Sequence, residues 1–344
     1  MNLQTKGAVL ISLLLTSSIA AQQETYSVVK APFSTDQFDE FAPVFYGTGL
    51  VFCSGRGKAV TDTQGKGVVN IYYADTAANN NRLRLFSKNI TSKLNDGPVT
   101  FNQRSDTLYF SKNLITEGRY KTLSSTRNKL GLFYAVNDGK GWGSVREMRF
   151  NNEWYNITMP CLSHDGRQLY FVSDKSEGYG GTDIYYSQWS NGYWDDPVNL
   201  GSQVNTKGNE TYPFINEAGE LFFSSDGHPG LGGKDMFVTK RDAEKWYSPV
   251  RLDSPINSEY DDFGIVTDPL VNYGYFSSNR GKSIDIYRFS TNITKVWFSE
   301  DQKKNRYCFT VSDTGSIVID NQAIQYRWDF GDNATMTGND VWHC

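Results

Sequence analysis

The sequence predicts an all-β protein, a five-bladed β-propeller of four-stranded blades closed by the N-terminal strand. Three observations predict it. Of 344 residues, 21 are Tyr, 21 Phe and 8 Trp, beside 31 Gly, the usage of short strands joined by tight turns rather than of helical bundles. A strand pattern recurs five times: Leu50-Val51-Phe52-Cys53-Ser54, Leu108-Tyr109-Phe110-Ser111, Leu169-Tyr170-Phe171-Val172-Ser173, Leu221-Phe222-Phe223-Ser224-Ser225 and Gly274-Tyr275-Phe276-Ser277-Ser278. Its central Phe is spaced by 58, 61, 52 and 53 residues, the signature of stacked supersecondary units. Third, each copy is followed by a matched partner, and most clearly in three of the units it is preceded by one as well.

In chain order, Lys6, the apolar run Ala8 to Leu15 and the small residues Thr16 to Ala21 predict an export leader over residues 1–21. No later apolar run approaches the roughly 20 residues of a transmembrane helix. The expected location is the periplasm or outer membrane, with a secreted or cell-surface protein as the alternative. Tyr26-Ser27-Val28-Val29-Lys30 matches Tyr247-Ser248-Pro249-Val250-Arg251, which predicts that it is the missing outer strand of blade five. The ring then spans residues 24–290.

Within each unit an inner strand follows an acidic position, as in Glu40-Phe41-Ala42-Pro43, Glu210-Thr211-Tyr212-Pro213 and Asp262-Phe263-Gly264-Ile265. A turn such as Ser163-His164-Asp165-Gly166-Arg167 leads to the second strand, where Gly accepts a positive φ. The third strand is Ile71-Tyr72-Tyr73, Leu132-Phe133-Tyr134, Ile184-Tyr185-Tyr186, Met236-Phe237-Val238 or Ile286-Tyr287-Arg288, and the fourth is placed near Trp142, Trp194 or Trp246. Radial repetition is how such a chain protects its sheet edges.

Gly180-Gly181-Thr182-Asp183-Ile184-Tyr185, Pro197-Val198-Asn199-Leu200-Gly201, the run Phe222 to Asp235, Pro255-Ile256-Asn257-Ser258 and Gly274 to Arg280 resemble the PD40, or WD40-like, propellers related to TolB. The resemblance covers the ring and is strongest after residue 160. Blades one and two depart from it, with long connections at 55–70 and 112–131 that lack the paired-glycine turn. Tyr326-Arg327-Trp328-Asp329-Phe330-Gly331-Asp332 resembles the signature of PKD domains, which are Ig-like sandwiches, so residues 295–344 are expected to be an incomplete PKD-like domain. In exported Bacteroidetes proteins such modules often precede an OmpA-like domain, and some belong to gliding or type IX secretion assemblies. The resemblance therefore implies partners among envelope or peptidoglycan-associated proteins.

The 34 basic and 38 acidic residues, net charge −4, give no basic face for nucleic acid. His164, His228 and His343 are scattered, and no C-x-x-C, phosphate loop or nucleophile elbow is present; no metal or cofactor is expected. Asp39, Glu40, Glu210, Asp261 and Asp262 enter three blades at equivalent positions and are expected to gather at the channel mouth formed by the connections into the inner strands. A basic peptide or a cation would be their ligand. Two other roles stay open for these acids, turn stabilisation and the acid pair of a glycosidase. Asp183, Asp235 and Asp285 are expected to cap glycine turns, with calcium as the alternative. The three repeated Trp suit inter-blade packing, or else sugar stacking. Cys53 and Cys161 read as buried thiols, and Cys308 with Cys344 as a candidate disulfide in an exported chain. The functional expectation is a non-enzymatic binding or scaffold propeller; the alternatives are a carbohydrate-active enzyme and a secreted glycan-binding module.

Overall fold

The computed structural model describes residues 26–56, 68–76, 83–114, 129–242, 245–269 and 271–291, and the backbone of four short strands between 309 and 343. Among these residues there is no helix, and five antiparallel sheets form a β-propeller. Blade I is β2 (Glu40–Tyr46), β3 (Gly49–Ser54), β4 (Asn70–Asp75) and β5 (Leu83–Leu85). Blade II is β6 (Asp96–Phe101), β7 (Thr107–Asn113), β8 (Leu130–Val136) and β9 (Arg146–Glu147). Blade III is β10 (Ile157–Leu162), β11 (Gln168–Ser173), β12 (Asp183–Ser190), β13 (Tyr193–Trp194) and β14 (Val198–Asn199). Blade IV is β15 (Glu210–Ile215), β16 (Glu220–Ser225), β17 (Asp235–Lys240) and β18 (Val250–Arg251).

Blade V has β19 (Asp262–Thr267), β20 (Tyr273–Ser278) and β21 (Asp285–Ser290), and its outer strand is β1 (Ser27–Lys30). The N-terminal strand closes the ring, with Val28 opposite Phe289 and Lys30 opposite Tyr287. C-terminal to the ring, β22 (Phe309–Ser312) pairs β25 (Asp340–His343), and β23 (Arg327–Asp329) pairs β24 (Thr335–Thr337). The leader at 1–21, Cys308, Cys344 and most of 295–344 lie outside the described residues.

The core is divided into five apolar clusters, one per blade interface. The second-strand Phe of each blade is buried: Phe52, Phe110, Phe171, Phe223 and Phe276. The repeated Trp belong to these interfaces. Trp142 packs with Phe86 and Phe101, Trp194 meets Tyr109 edge-on at 5.9 Å, and Trp246 meets Tyr170 at 6.3 Å. Trp142 and Trp246 form isolated bridges ahead of the outer strands and Trp194 lies in the two-residue β13, while the outer strands that follow, β9, β14 and β18, have two residues each. Asparagine side chains replace the missing ladder. Asn151, Asn205 and Asn257 each accept from and donate to the backbone of Leu132, Ile184 and Met236, so the polar edge is satisfied without strand pairing.

All five inner strands carry a bulge at the same place, between Phe41 and Val44, Asp96 and Val99, Thr158 and Cys161, Thr211 and Phe214, and Phe263 and Val266. There Ala42, Gly97, Met159, Tyr212 and Gly264 take φ from +50° to +96°. Proline follows in four of the five, at 43, 98, 160 and 213, and a bulge suits a residue with no N–H to give to a ladder. The displaced N–H groups of Ala42 and Met159 donate to Ser277 Oγ (3.0 Å) and Ser111 Oγ (2.9 Å) of the preceding blade. The bulges thus join neighbouring blades around the channel.

Deleting Tyr26 to Lys30 should open the β21 edge and expose Phe289, giving a lower, less cooperative melting transition and aggregation; unchanged melting and solubility would exclude ring closure by this strand. Gly97→Ala should cost about 2–4 kcal/mol, since φ is +96° and a Cβ would lie 2.5 Å from Cys53 Sγ. Adding Cys53→Ala should recover part of that loss in a denaturant titration, and full additivity would rule out the contact.

Candidate functional site

The two ends of the channel differ in chemistry. At one end the chain enters each inner strand, and there the recurring acids are found inside the fold. Glu40, Asp96, Glu210 and Asp262 have 0% exposure. Each closes the same turn by accepting the N–H of a Ser or Thr upstream: Thr35 to Glu40 (3.0 Å), Ser92 to Asp96 (2.5 Å), Thr206 to Glu210 (2.8 Å) and Ser258 to Asp262 (2.7 Å). Hydroxyls of Ser92, Thr206 and Ser258 donate to the same carboxylates. Cations complete three of them: Arg56 on Glu40, Lys112 on Asp96 and Arg280 on Asp262, while Ser225 Oγ donates to Glu210 (2.7 Å).

The expected acidic mouth is therefore corrected. At 0% exposure, with both oxygens of each carboxylate already accepting donors of its own turn or blade, these four acids serve the fold rather than line an open mouth. Asp39 and Asp261 serve the adjoining seam: Asp39 Oδ1 accepts Ile284 N–H (3.1 Å) and Asp261 Oδ1 accepts Lys234 N–H (2.9 Å), joining each blade to the one before it. Sequence reasoning missed Asp96, whose inner strand is one residue shorter before the bulge. The spacing Ser92-x-x-x-Asp96, shared with Thr206/Glu210 and Ser258/Asp262, is the signal that finds it.

Asp183 accepts Tyr179 and Gly180 N–H and the Asn199 amide, and Asp235 accepts Leu231 and Gly232 N–H. Asp285 meets Lys30 Nζ at 2.8 Å. Among the described residues, no group of three or more His, Cys, Asp or Glu is placed to hold a metal ion.

At the opposite end a cavity of about 340 Å³ opens between the five inner strands and the turns that follow them. Its wall carries Pro43, Pro98, Pro160, Pro213 and the rings of Phe45, Phe101 and Phe214. Tyr212 lies against Phe263, ring centroids 4.9 Å apart, and burial pushes its phenol above the ordinary tyrosine value. Cys161 also lines the wall; burial pushes its thiol up to about 12, so it is inert as a nucleophile. The lip joins three blades: the Gln103 amide donates to His164 Nε2 (3.1 Å), and His164 Nδ1 lies 3.5 Å from Glu217 Oε1. Among the described residues, Glu217 is the one carboxylate in the lining. This end can hold an apolar segment with a polar lip; retaining or inverting glycoside hydrolysis would need a second, facing carboxylate.

No family profile matches the chain, and no curated protein matches it. Solved structures similar in fold include a gluconolactonase of Xanthomonas campestris (13% identity, TM-score 0.44, covering 71% of this chain and 68% of that one). A TolB-like protein of Agrobacterium tumefaciens is similar at 14% identity and TM-score 0.44, over 70% of this chain and 69% of that one. An endo-arabinase of Bacteroides thetaiotaomicron is similar at 8% identity and TM-score 0.46, over 78% and 97%. These are likenesses of fold alone, and they span enzymes and a TolB-like protein alike.

Burial raises the Glu40 and Asp96 carboxyls above their ordinary values, with Thr35 and Arg56, and Lys112 and Ser92, opposing it. A carboxyl raised in the folded state gives its full stabilisation below the unfolded value, and loses it as pH rises through the folded value. Wild-type protein should thus gain stability relative to E40Q/D96N as pH falls from neutrality toward the ordinary carboxylate range. Melting curves check this, above the range where Asp36, Asp106 and Asp165, held low by their hydrogen bonds, begin to protonate. Parallel curves for the two proteins would defeat the assignment.

Proposed function

We propose that this protein is an exported, non-enzymatic scaffold of the cell envelope that seats a segment of a partner protein in the cavity at the turn end of its channel. The observation that carries this reading is the cavity wall itself, built from equivalent backbone of all five blades and lined by proline and Phe with a single carboxylate at its lip. A preformed concavity with proline and aromatic rings in its wall and polar side chains such as Asn102, Gln103 and His164 toward its lip is suited to holding a side chain or short segment. The turns around it carry Asp106, Asp165, Glu217, Glu220 and Asp268 against Arg104 and Arg167, which favours a basic or neutral segment over an acidic one. The PKD-like signature after the ring and the leader-like N-terminus support an envelope setting, in association with outer-membrane, peptidoglycan-associated or secretion and gliding assemblies.

A photo-crosslinking residue at Glu217, exposed on the cavity lip, should capture an envelope protein in cells, whereas the same residue at Glu259, on the opposite end, should not. Gln103→Trp, which occludes the lip, should reduce the Glu217 product. Equal capture from both ends would remove the cavity from the interaction. Oligosaccharide cleavage abolished by Glu217→Gln would replace the scaffold by an enzyme.

A further inference from the structure

Blade III departs from the other four at one point. Elsewhere a Ser or Thr and a buried acid close the turn into the inner strand: Thr35 with Glu40, Ser92 with Asp96, Thr206 with Glu210, Ser258 with Asp262. Blade III has Glu153 in place of the hydroxyl and Ile157 in place of the acid, so both halves of the staple are absent together. The neighbouring seam is kept: Asn156 donates through its N–H and Nδ2 to Asp174 (2.5 and 2.6 Å), and its Oδ1 accepts Leu130 N–H. Folding is satisfied there by other means.

That altered turn carries Trp154. The equivalent position in the other blades holds Gln37, Lys93, Lys207 and Glu259, all polar, as expected for an open turn. Trp154 is 79% exposed, the highest of the exposed large apolar side chains among the described residues. Its N–H is held by Asn152 Oδ1 (2.9 Å). Beside it, the Tyr155 ring lies 6.0 Å from Lys175 Nζ. On the same blade and end, Tyr179 is 51% exposed at the tip of a glycine turn whose N–H is fixed by Asp183 (2.6 Å). A break in the repeated staple that leaves an indole exposed and outside the packed core makes this turn a candidate contact for a ligand.

We propose that this end of blade III binds a neutral glycan chain, with Trp154 as the principal stacking platform and Tyr179 as a second one. Sugar rings present one apolar face surrounded by hydroxyls. Here isolated aromatic faces stand among Asn152, Glu153, Asp174, Lys175 and Glu177, which supply acceptors and donors to such a rim. Three carboxylates, Glu153, Asp174 and Glu177, against Lys175 give this rim a net negative charge that disfavours a polyanion, and the apolar surface is divided by polar loops, unlike the continuous core of a protein interface. Both aromatics sit on turns pinned by side-chain bonds, so little ordering is required on binding. The site lies at the opposite end of the blades from the central cavity and is independent of the partner proposed there.

The test uses the full chain with cellohexaose, laminarihexaose, chitohexaose and mannohexaose, read by tryptophan fluorescence and calorimetry. At least one should bind with Kd below about 5 mM, and Trp154→Ala should weaken it by about tenfold or more. Trp154→Phe should retain most of the affinity, Tyr179→Ala should weaken it less than Trp154→Ala, and Gln103→Trp should leave it unchanged. Because Trp154 is exposed, its variants should melt as wild type does. The proposal is overturned if no hexasaccharide binds, if Trp154→Ala binds as tightly as wild type, or if only a heparin hexasaccharide binds.

Discussion

Each blade is a thin sheet with two apolar faces, and neither face is covered by the blade's own residues. The five clusters of buried side chains all lie between blades, so every sheet depends on both neighbours, and the ring depends on its last seam. That seam is made by residues from the two ends of the propeller: Ala31, Phe33 and Ile286 against Leu50, Phe52 and Ala74, with Phe33 stacked on Phe52 at 5.0 Å. Each fully buried Phe contributes roughly 1.5–3 kcal/mol by leaving water. That contribution is realised only when both walls of the interface exist, so closure by β1 is the constraint on which the other seams rest.

Closure brings five inner strands to one axis, and crowding there explains the shared bulges. A regular inner strand would direct its ladder groups at an axis with no partner. The positive-φ residue bends the strand, and the following proline has no N–H to leave unsatisfied. Ser277 and Ser111 then accept the bulge N–H groups of the next blade. The same backbone device forms the cavity wall, so the structural solution at the axis is also what creates the concave surface.

Burying four carboxylates is unfavourable unless each is fully bonded. In this ring each one is, through turn N–H groups, hydroxyls and, in three blades, a cation. These four turn acids are thereby taken up by structure, while Trp154 and Tyr179 stand exposed on the same end. The turn end is closed by more exposed side-chain bonds, such as Ser163 to Asp165 and Asn102 to Asp106, and opens into the cavity. The division of labour follows from where the chain enters each blade.

The fold was legible in the chain because the repeat is local: Phe52, Phe110, Phe171, Phe223 and Phe276 fix the second strands, and the match of Tyr26–Lys30 to Tyr247–Arg251 foretold closure. The recurrence of Glu40, Glu210 and Asp262 was legible too, but their exposure was not. Equivalent positions are brought together by the ring, yet whether a carboxylate faces the channel or its own turn depends on hydrogen-bond geometry over four or five residues, and on a cation 16 to 18 residues away, as with Arg56 and Arg280. The sequence by itself determined the number of blades and the order of strands, since these follow from periodic apolar burial. Only the tertiary structure decided which end of the channel is open and which side chains remain for a ligand, because desolvation and pairing are properties of the assembled seams.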